Sequence, residues 1–421
     1  MLNVQSVRQP KCFDHFRCIG AACEDTCCAG WGIVVDQQTY EKYQSLPARQ
    51  IAGKDLSALV EIYDARSSSR DYARFRLEEA VCPALEQGVC AIQQTLGEPY
   101  IPDLCSTYPR SLTVIGRTLE RSLHLSCPEA ARLVLNDPDS MVLQERVEEE
   151  PLHRSGSVAL IADPDDSLHR VRALVIDVIG ERSLPLGQRI VSLGFVVDKL
   201  AGIDPADAVP ILEDHLNYLR QGLFPDDLMA QRGDAAFQLE TVLELAIARI
   251  GSDYTPPRFV KCFSDFLVGL EWTADTSMEE LAARYDSSSE RYFLPFVRRH
   301  EHLLENYLIG YIFRTAFPYR SKLPDRKFSI DSRAESLRNS FILLAVHYAM
   351  IRTFFIGMAA MYKDNLSVDH AVKLVQSYSK AFLHISSFEK SVIEYFVPER
   401  AGQAALPAIE RVSKIALLVM D

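Results

Sequence analysis

Nine of the ten cysteines in this 421-residue chain lie between Cys12 and Cys127, and the tenth is Cys262. This crowding constrains the first third of the chain more than any other feature. The spacing is Cys18-x4-Cys23-x3-Cys27-Cys28, then Cys82-x7-Cys90, then Cys105 and Cys127. In a secreted chain the pattern would read as a disulfide framework. The opening stretch, Met1 to Lys11, is polar and has no apolar segment behind a basic start, so a secretory leader is not expected. In a cytoplasmic chain, the location expected here, metal binding or redox chemistry accounts better for so many thiols.

Thiolates are soft donors that suit zinc or iron–sulfur clusters. Four cysteines from Cys18 to Cys28 on one short segment form a chelating loop, which limits the chain entropy lost per metal bond. Neighbouring Cys27 and Cys28 cannot point the same way on a regular element. At most one serves a given metal ion, and the other serves a second site or packs inward. Cys82 and Cys127 each precede a proline, which biases the residue before it to an extended form and presents a thiolate at a chain bend. The expectation is one centre drawing thiols from both groups, with at least one of Cys82, Cys90, Cys105 and Cys127 close to the first four. Buried free cysteines are the plain alternative. Four-cysteine zinc sites usually show two CxxC-like pairs; none occurs here, which favours a cluster, although spacing alone does not separate zinc from iron.

Beyond residue 135 the pattern changes. Residues 136–158 carry Asp137-Pro138-Asp139 and Glu148-Glu149-Glu150-Pro151 and read as a solvated linker or domain edge. From 159 to 421 helical periodicity dominates. Leu168, Val171, Leu174, Val175, Val178 and Ile179 share one face behind possible caps at Asp165, Asp166 or Ser167. Leu186, Ile190, Leu193, Val197 and Leu200 repeat the pattern. Further helices are expected around 208–221, 235–250, 278–285, 292–314, 334–362 and 367–395, with few strand-like alternations. The predicted fold is mainly α, with a cysteine-rich metal-binding module over residues 1–135 packed on a larger helical domain over 159–421. Within the module, short helices and turns around a centre are expected, with an exposed loop at Ser67-Ser68-Ser69-Arg70.

The net charge of −12, with no basic block to offset it locally, argues against nucleic acid as a partner. The longest apolar stretch, Phe341 to Tyr362, contains His347 and Arg352, both costly at a bilayer centre, so a buried helix is expected and no membrane span. Neither a GxGxxG loop, a P-loop, a GxSxG nor an HExxH motif occurs. His300-x-His302 falls on different helix faces and does not make a metal pair.

Four blocks in order resemble the flagellin lysine-N-methylase family. They are Cys23-Glu24-Asp25-Thr26-Cys27-Cys28-Ala29-Gly30-Trp31; Cys82-Pro83-Ala84-Leu85 leading to Gly88-Val89-Cys90; Cys105-Ser106-Thr107-Tyr108-Pro109-Arg110; and Ser126-Cys127-Pro128-Glu129 with Arg132. More loosely, they resemble cysteine-cluster proteins thought to chelate zinc or iron. The likeness is weaker in the helical part, where Glu305-Asn306-Tyr307-Leu308, Phe313-Arg314 and Phe317-Pro318 look like a late family motif. The resemblance implies an enzyme that methylates lysines of flagellin or another surface-lysine protein. It also implies S-adenosylmethionine as donor and a [4Fe–4S] centre. The spacing C-x3-C-x2-C of radical enzymes that use this donor is absent, since Cys28 follows Cys27 at once. A cationic sulfonium favours carboxylates and aromatic faces. Glu24, Asp25, Trp31, Tyr108 and Glu129 lie within the blocks and could supply them, while Arg110 and Arg132 could grip a carboxylate. Each could equally be a cap, a packing residue or a salt-bridge partner. The competing functions are metal storage or delivery, and an interaction protein whose metal only holds the fold.

Overall fold

The computed structural model describes residues 4–46, 50–51, 53–62, 69–148, 158–163, 165–223, 232–250, 254–318, 330–397 and 408–420. Ser67-Ser68 of the expected loop and residues 149–157 of the expected linker lie outside them. The fold is mainly helical, and among the described residues from 162 onward every element is a helix.

The periodic segments form helices where their apolar faces repeat. Ser167–Gly180 buries Leu168, Val171, Val175, Val178 and Ile179, and Leu186–Leu200 buries Ile190, Leu193, Val197 and Leu200. Asp165, one of the expected caps, accepts from the Ser167 amide at 3.3 Å, and Asp163 adds the Leu168 and His169 amides at 3.2 and 3.3 Å, which satisfies three donors that a helix start leaves open. The stretch expected as one helix over 292–314 is divided. A π-turn at Ser289–Phe293 leads into Leu294–Arg299, and His302–Thr315 follows after a break at His300.

The organising element is the 33-residue helix Ile330–Tyr362. Its most apolar window is long enough for a membrane yet is wholly buried in the protein. The charged and polar groups that spoil it as a span have partners on neighbouring helices. His347 Nδ1 lies 2.6 Å from the Tyr378 hydroxyl, and Arg352 donates to Gln238 Oε1 and Tyr285 Oη at 3.0 Å each. Helix Pro257–Gly269 crosses it backbone to backbone. A Cβ on Gly269 would fall 1.9 Å from the Gly357 carbonyl oxygen, so glycine is what permits the crossing.

The first part of the chain contains more strand than its sequence suggests. A five-stranded mixed sheet runs in the order Leu143–Arg146, Ser6–Pro10, Thr118–Leu123, Arg110–Ile115, Val158–Ile161. Ser6–Pro10 is parallel to Thr118–Leu123, with Val7 opposite Leu119. Thr118–Leu123 is buried at all six positions, so it lacks the in–out alternation that signals a strand. Its charged residues are neutralised in place: Glu120 pairs with Arg172 at 2.7 Å and Arg121 with Glu148 at 2.7 Å. One strand of this sheet, Leu143–Arg146, lies within the stretch expected as linker and another, Val158–Ile161, begins at its last residue, so that stretch is tied at two points to residues 7–115.

The helical body half-buries several imidazoles and shifts them toward the neutral form. Burial, with Lys199 nearby, pulls His215 down to about 4, and burial also lowers His302 and His370. His215 keeps a 2.6 Å contact with the Ser192 hydroxyl. A free imidazole titrates near ~6.5, so below that pH the unfolded chain binds more protons than the folded one. The stabilisation is complete above that value and is lost as pH falls toward the folded value. Urea midpoints should therefore drop steadily from pH 7 to pH 5, and His215→Gln should flatten part of that slope. A wild-type midpoint that does not move over this range would count against the assignment.

Candidate metal centre and adjoining cleft

The two cysteine groups are joined through their main chains: the Cys82 amide donates to the Cys28 carbonyl at 2.8 Å, Ala29 bridges Val81, and the Gly30 amide reaches the Ala80 carbonyl at 2.9 Å. Gly30 has φ +89°, and a Cβ there would collide with the Tyr254 ring at 2.6 Å, so this close run suits glycine. From Cys82 the chain turns through the hairpin Leu85–Glu86/Val89–Cys90, which returns Cys90 at the start of helix Ala91–Leu96. Cys105 sits on the short helix Asp103–Thr107. Cys28, Cys90 and Cys105 pack with buried Cys82 around one small core that includes Tyr43. Burial first, and then the Cys28 thiol, push Cys82 up to about 12 and raise Cys90 and Cys105 as well.

Cys127 lies at the N-terminus of helix Pro128–Asn136. Burial, then the Cys23 and Cys18 thiols, push Cys127 up to about 11. Cys27, at the solvent edge like Cys18, faces Cys28, Cys105 and Cys18. Beside it Cys28 is lowered, first by the Cys27 thiol and then, against burial, by Thr26 and Lys380. All ten thiols are free. Cys12 and Cys262 stand apart, buried in the main apolar core. Among the described residues no three cysteine sulfurs lie within 4.8 Å of one another. A tetrahedral zinc ion with ~2.3 Å bonds needs its thiolates about 3.8 Å apart. A polynuclear cluster places several atoms between its thiolates and takes a wider cage. Asp163, Asp166 and His169 do come that close, but both nitrogens of His169 are engaged, with Arg8 at 2.8 Å and the Ile115 carbonyl at 3.2 Å.

The residues expected to support a cofactor surround these thiols. Asp25 accepts from Lys380 Nζ at 2.5 Å and Gln376 Nε2 at 2.8 Å, and Gln376 Nε2 also reaches the Ser126 carbonyl at 2.9 Å. Glu24 binds Arg132 at 2.5 Å and lies 3.5 Å from Arg258, while Arg132 also holds Glu129. The Trp31 indole donates to the Cys27 carbonyl at 2.6 Å and packs against Tyr108 and His384, with ring centroids 4.9 and 5.2 Å apart. Ser126 Oγ joins Tyr108 Oη at 2.9 Å and His384 Nε2 at 2.8 Å. Glu24, Asp25, Trp31 and Tyr108 thus fasten the cysteine segments to one another and to the helical body. Burial raises the Tyr108 phenol and lowers the His124 imidazole, so both stay neutral.

Arg110 is placed differently. Its guanidinium lies 4.9 Å above the Phe16 ring and lines a cleft of about 200 Å³. Asp36, Arg70, Asp71, Asp103 and His124 line the same cleft, and its wall at Asp103–Thr107 carries Cys105. Asp36 is committed to structure, taking the Thr39 and Asp103 amides at 2.8 and 3.0 Å. Reasoning from sequence missed Gln376, Lys380, His384, His124 and the acidic cleft residues. Nothing local marks them, since Lys380 meets Asp25 across 355 residues.

A helical body whose far end clamps a cysteine-rich segment is the arrangement that comparison with known proteins accounts for. The chain belongs to the family defined by the FliB lysine N-methylase C-terminal domain, whose sequence pattern matches residues 172–403. It is similar to the lysine-N-methylases of Salmonella choleraesuis (strain SC-B67) and Salmonella typhimurium (strain LT2). With each it shares 23% identity over 413 residues, covering 94% of this chain and 96% of the relative. It is also similar to the flagellar biosynthetic protein FliU of Salmonella muenchen, at 34% identity over 147 residues, covering 34% of this chain and 83% of that protein. No solved structure matches.

Proposed function

We propose that the protein is a lysine N-methyltransferase that modifies a flagellar protein, flagellin first, with S-adenosylmethionine as donor. It acts in the cytoplasm and holds an iron–sulfur centre on Cys18, Cys23, Cys27, Cys28, Cys82, Cys90, Cys105 and Cys127 within a module over residues 1–135. The observation that carries the reading is the similarity to two lysine-N-methylases along 94% of the chain, the cysteine segments included. The donor set suits a soft metal: all eight are free thiols, and Cys28, Cys82, Cys90 and Cys105 share one small core.

Methyl transfer requires a neutral amine, whereas a free lysine titrates near ~10.4. Carboxylates lining the cleft at Asp71 and Asp103 attract both the lysine and the cationic sulfonium, and Arg70 and Arg110 suit the donor's carboxylate. Neutral His124 adds no repulsion. Once deprotonated to solvent or a cleft carboxylate, the amine nitrogen attacks the methyl carbon. The carbon–sulfur bond breaks and a neutral thioether leaves. A bound cluster would supply redox-active iron beside the cleft.

The test is to incubate anaerobically purified protein with S-adenosylmethionine and flagellin, with intact mass as the readout. One methylene increment per transfer, absent without donor, is expected. A protein that transfers no methyl group but gives up its metal readily to a chelator would be a metal-delivery protein instead.

A further inference from the structure

Arg110 opens strand Arg110–Ile115, and its register partner on the next strand is Leu123. His124 follows at once, with its amide on the Pro109 carbonyl at 2.7 Å, so Arg110 and His124 flank one end of this ladder. Both line the cleft of about 200 Å³. The Arg110 guanidinium is half-buried against Phe16, yet among the described residues it makes no hydrogen bond and no ion pair. Arg17 opposes it in charge and is itself tied to the Asp14 and Phe16 carbonyls at 3.0 and 2.7 Å. The His124 ring packs on Tyr108 and His384, and its nitrogens likewise make no hydrogen bond among the described residues.

A guanidinium drawn partly out of water without an acceptor is costly, which points to an anion as its missing partner. The other walls restrict which anion. Asp71 and Asp103 line the same cleft, while Asp36 is taken up by backbone amides. A phosphate or a dicarboxylate on Arg110 would be repelled by those carboxylates, and a bare cation would be repelled by Arg110. A group with one charge of each sign suits both. Pockets for whole drug-sized ligands run to ~300–1,000 Å³, so this smaller cleft takes a group the size of an amino acid.

We propose that the cleft seats the amino-acid end of the methyl donor, its carboxylate gripped by Arg110 and its ammonium turned toward Asp71 and Asp103, with the nucleoside outside. The proposal rests on the methyltransferase reading above and deepens it, because it makes Arg110 the residue that selects a donor with a free carboxylate. The planar guanidinium fork matches a carboxylate in two parallel hydrogen bonds, which a lysine cannot reproduce.

The test is equilibrium dialysis of the full-length protein, without flagellin, against S-adenosylmethionine and its decarboxylated analogue. The wild type should bind the analogue about 10- to 100-fold more weakly, the range for losing a hydrogen bond to a charged group. Arg110→Met, which can still pack on Phe16, should lose that factor for S-adenosylmethionine and nothing for the analogue. Arg110→Lys should recover part of it. Helical circular dichroism is the fold control, and the wild-type comparison stands if Arg110→Met fails it. Equal wild-type affinity for the two ligands overturns the proposal and leaves the donor reading in place. So does an Arg110→Met protein that weakens both ligands alike, or one that binds both normally and raises only the KM for flagellin. A wild type that binds neither ligand removes the donor reading itself.

Discussion

Glu305→Ala is expected to destabilise the helical body by about 3 kcal/mol, the lower part of the range for removing one partner of a buried ion pair. Arg189 is fully buried, with its guanidinium on Glu305 at 2.8 Å, on the Leu184 and Ile179 carbonyls at 2.7 and 2.8 Å, and on Glu301. Glu305 is itself buried and also takes Arg182. Deleting it leaves a buried guanidinium short of its main counter-charge. Glu301, a third exposed, compensates only in part. Glu305→Gln should cost less, because its amide oxygen still accepts one donor. Urea denaturation reads the effect, and a loss below about 1 kcal/mol for Glu305→Ala would mean that the carbonyls and Glu301 suffice.

Cys23→Ser should lower methyl transfer at least ~100-fold while most helical circular dichroism remains, whereas Cys262→Ser should keep activity and metal. The contrast follows from where each thiol sits. Metal binding can supply roughly 10 kcal/mol or more to a small segment with a limited core of its own. The helical body closes its own core around Ile330–Tyr362 and does not need that contribution. Cys262 lies in that core with the Ser377 hydroxyl 3.6 Å away, a partner that a serine would retain. Normal activity in a metal-free Cys23→Ser protein would make the centre dispensable for catalysis. Loss of helicity would show instead that the Asp25–Lys380 and Glu24–Arg132 contacts bind the two parts into one folding unit.

Several helices were legible because their apolar residues recur at helical spacing, and the runs at Leu168–Ile179 and Leu186–Leu200 do form helices. The long buried helix was legible through His347 and Arg352, which fit a core with partners better than a bilayer. The five-stranded sheet was not legible. Glu120 and Arg121 sit inside it, each neutralised by a partner far along the chain, so the strand shows no apolar alternation. Pro257–Gly269 was also missed, its start marked only by Pro256-Pro257. At the site the cysteines were visible from their spacing. How their segments are joined depends on a backbone bridge between Cys28 and Cys82 and on Gln376, and neither leaves a local mark. The late family-like motif acquires a structural meaning. Glu305 holds Arg189, and Asn306 Nδ2 binds the Val134 and Asp137 carbonyls and the Ser140 hydroxyl at 2.9–3.0 Å, pinning the end of the helix that begins at Cys127.

The clamp on Asp25 has a consequence in time as well as in space. Its partner Lys380 follows 355 residues later in the chain. At ribosomal speeds of ~5–20 residues per second, translation takes roughly 20 to 70 s to reach it. Through most of that interval Cys18, Cys23, Cys27 and Cys28 are outside the ribosome while Gln376 and Lys380, which finally anchor their segment through Asp25, are still unmade. The cysteine segment therefore waits on the last part of the chain for its anchor.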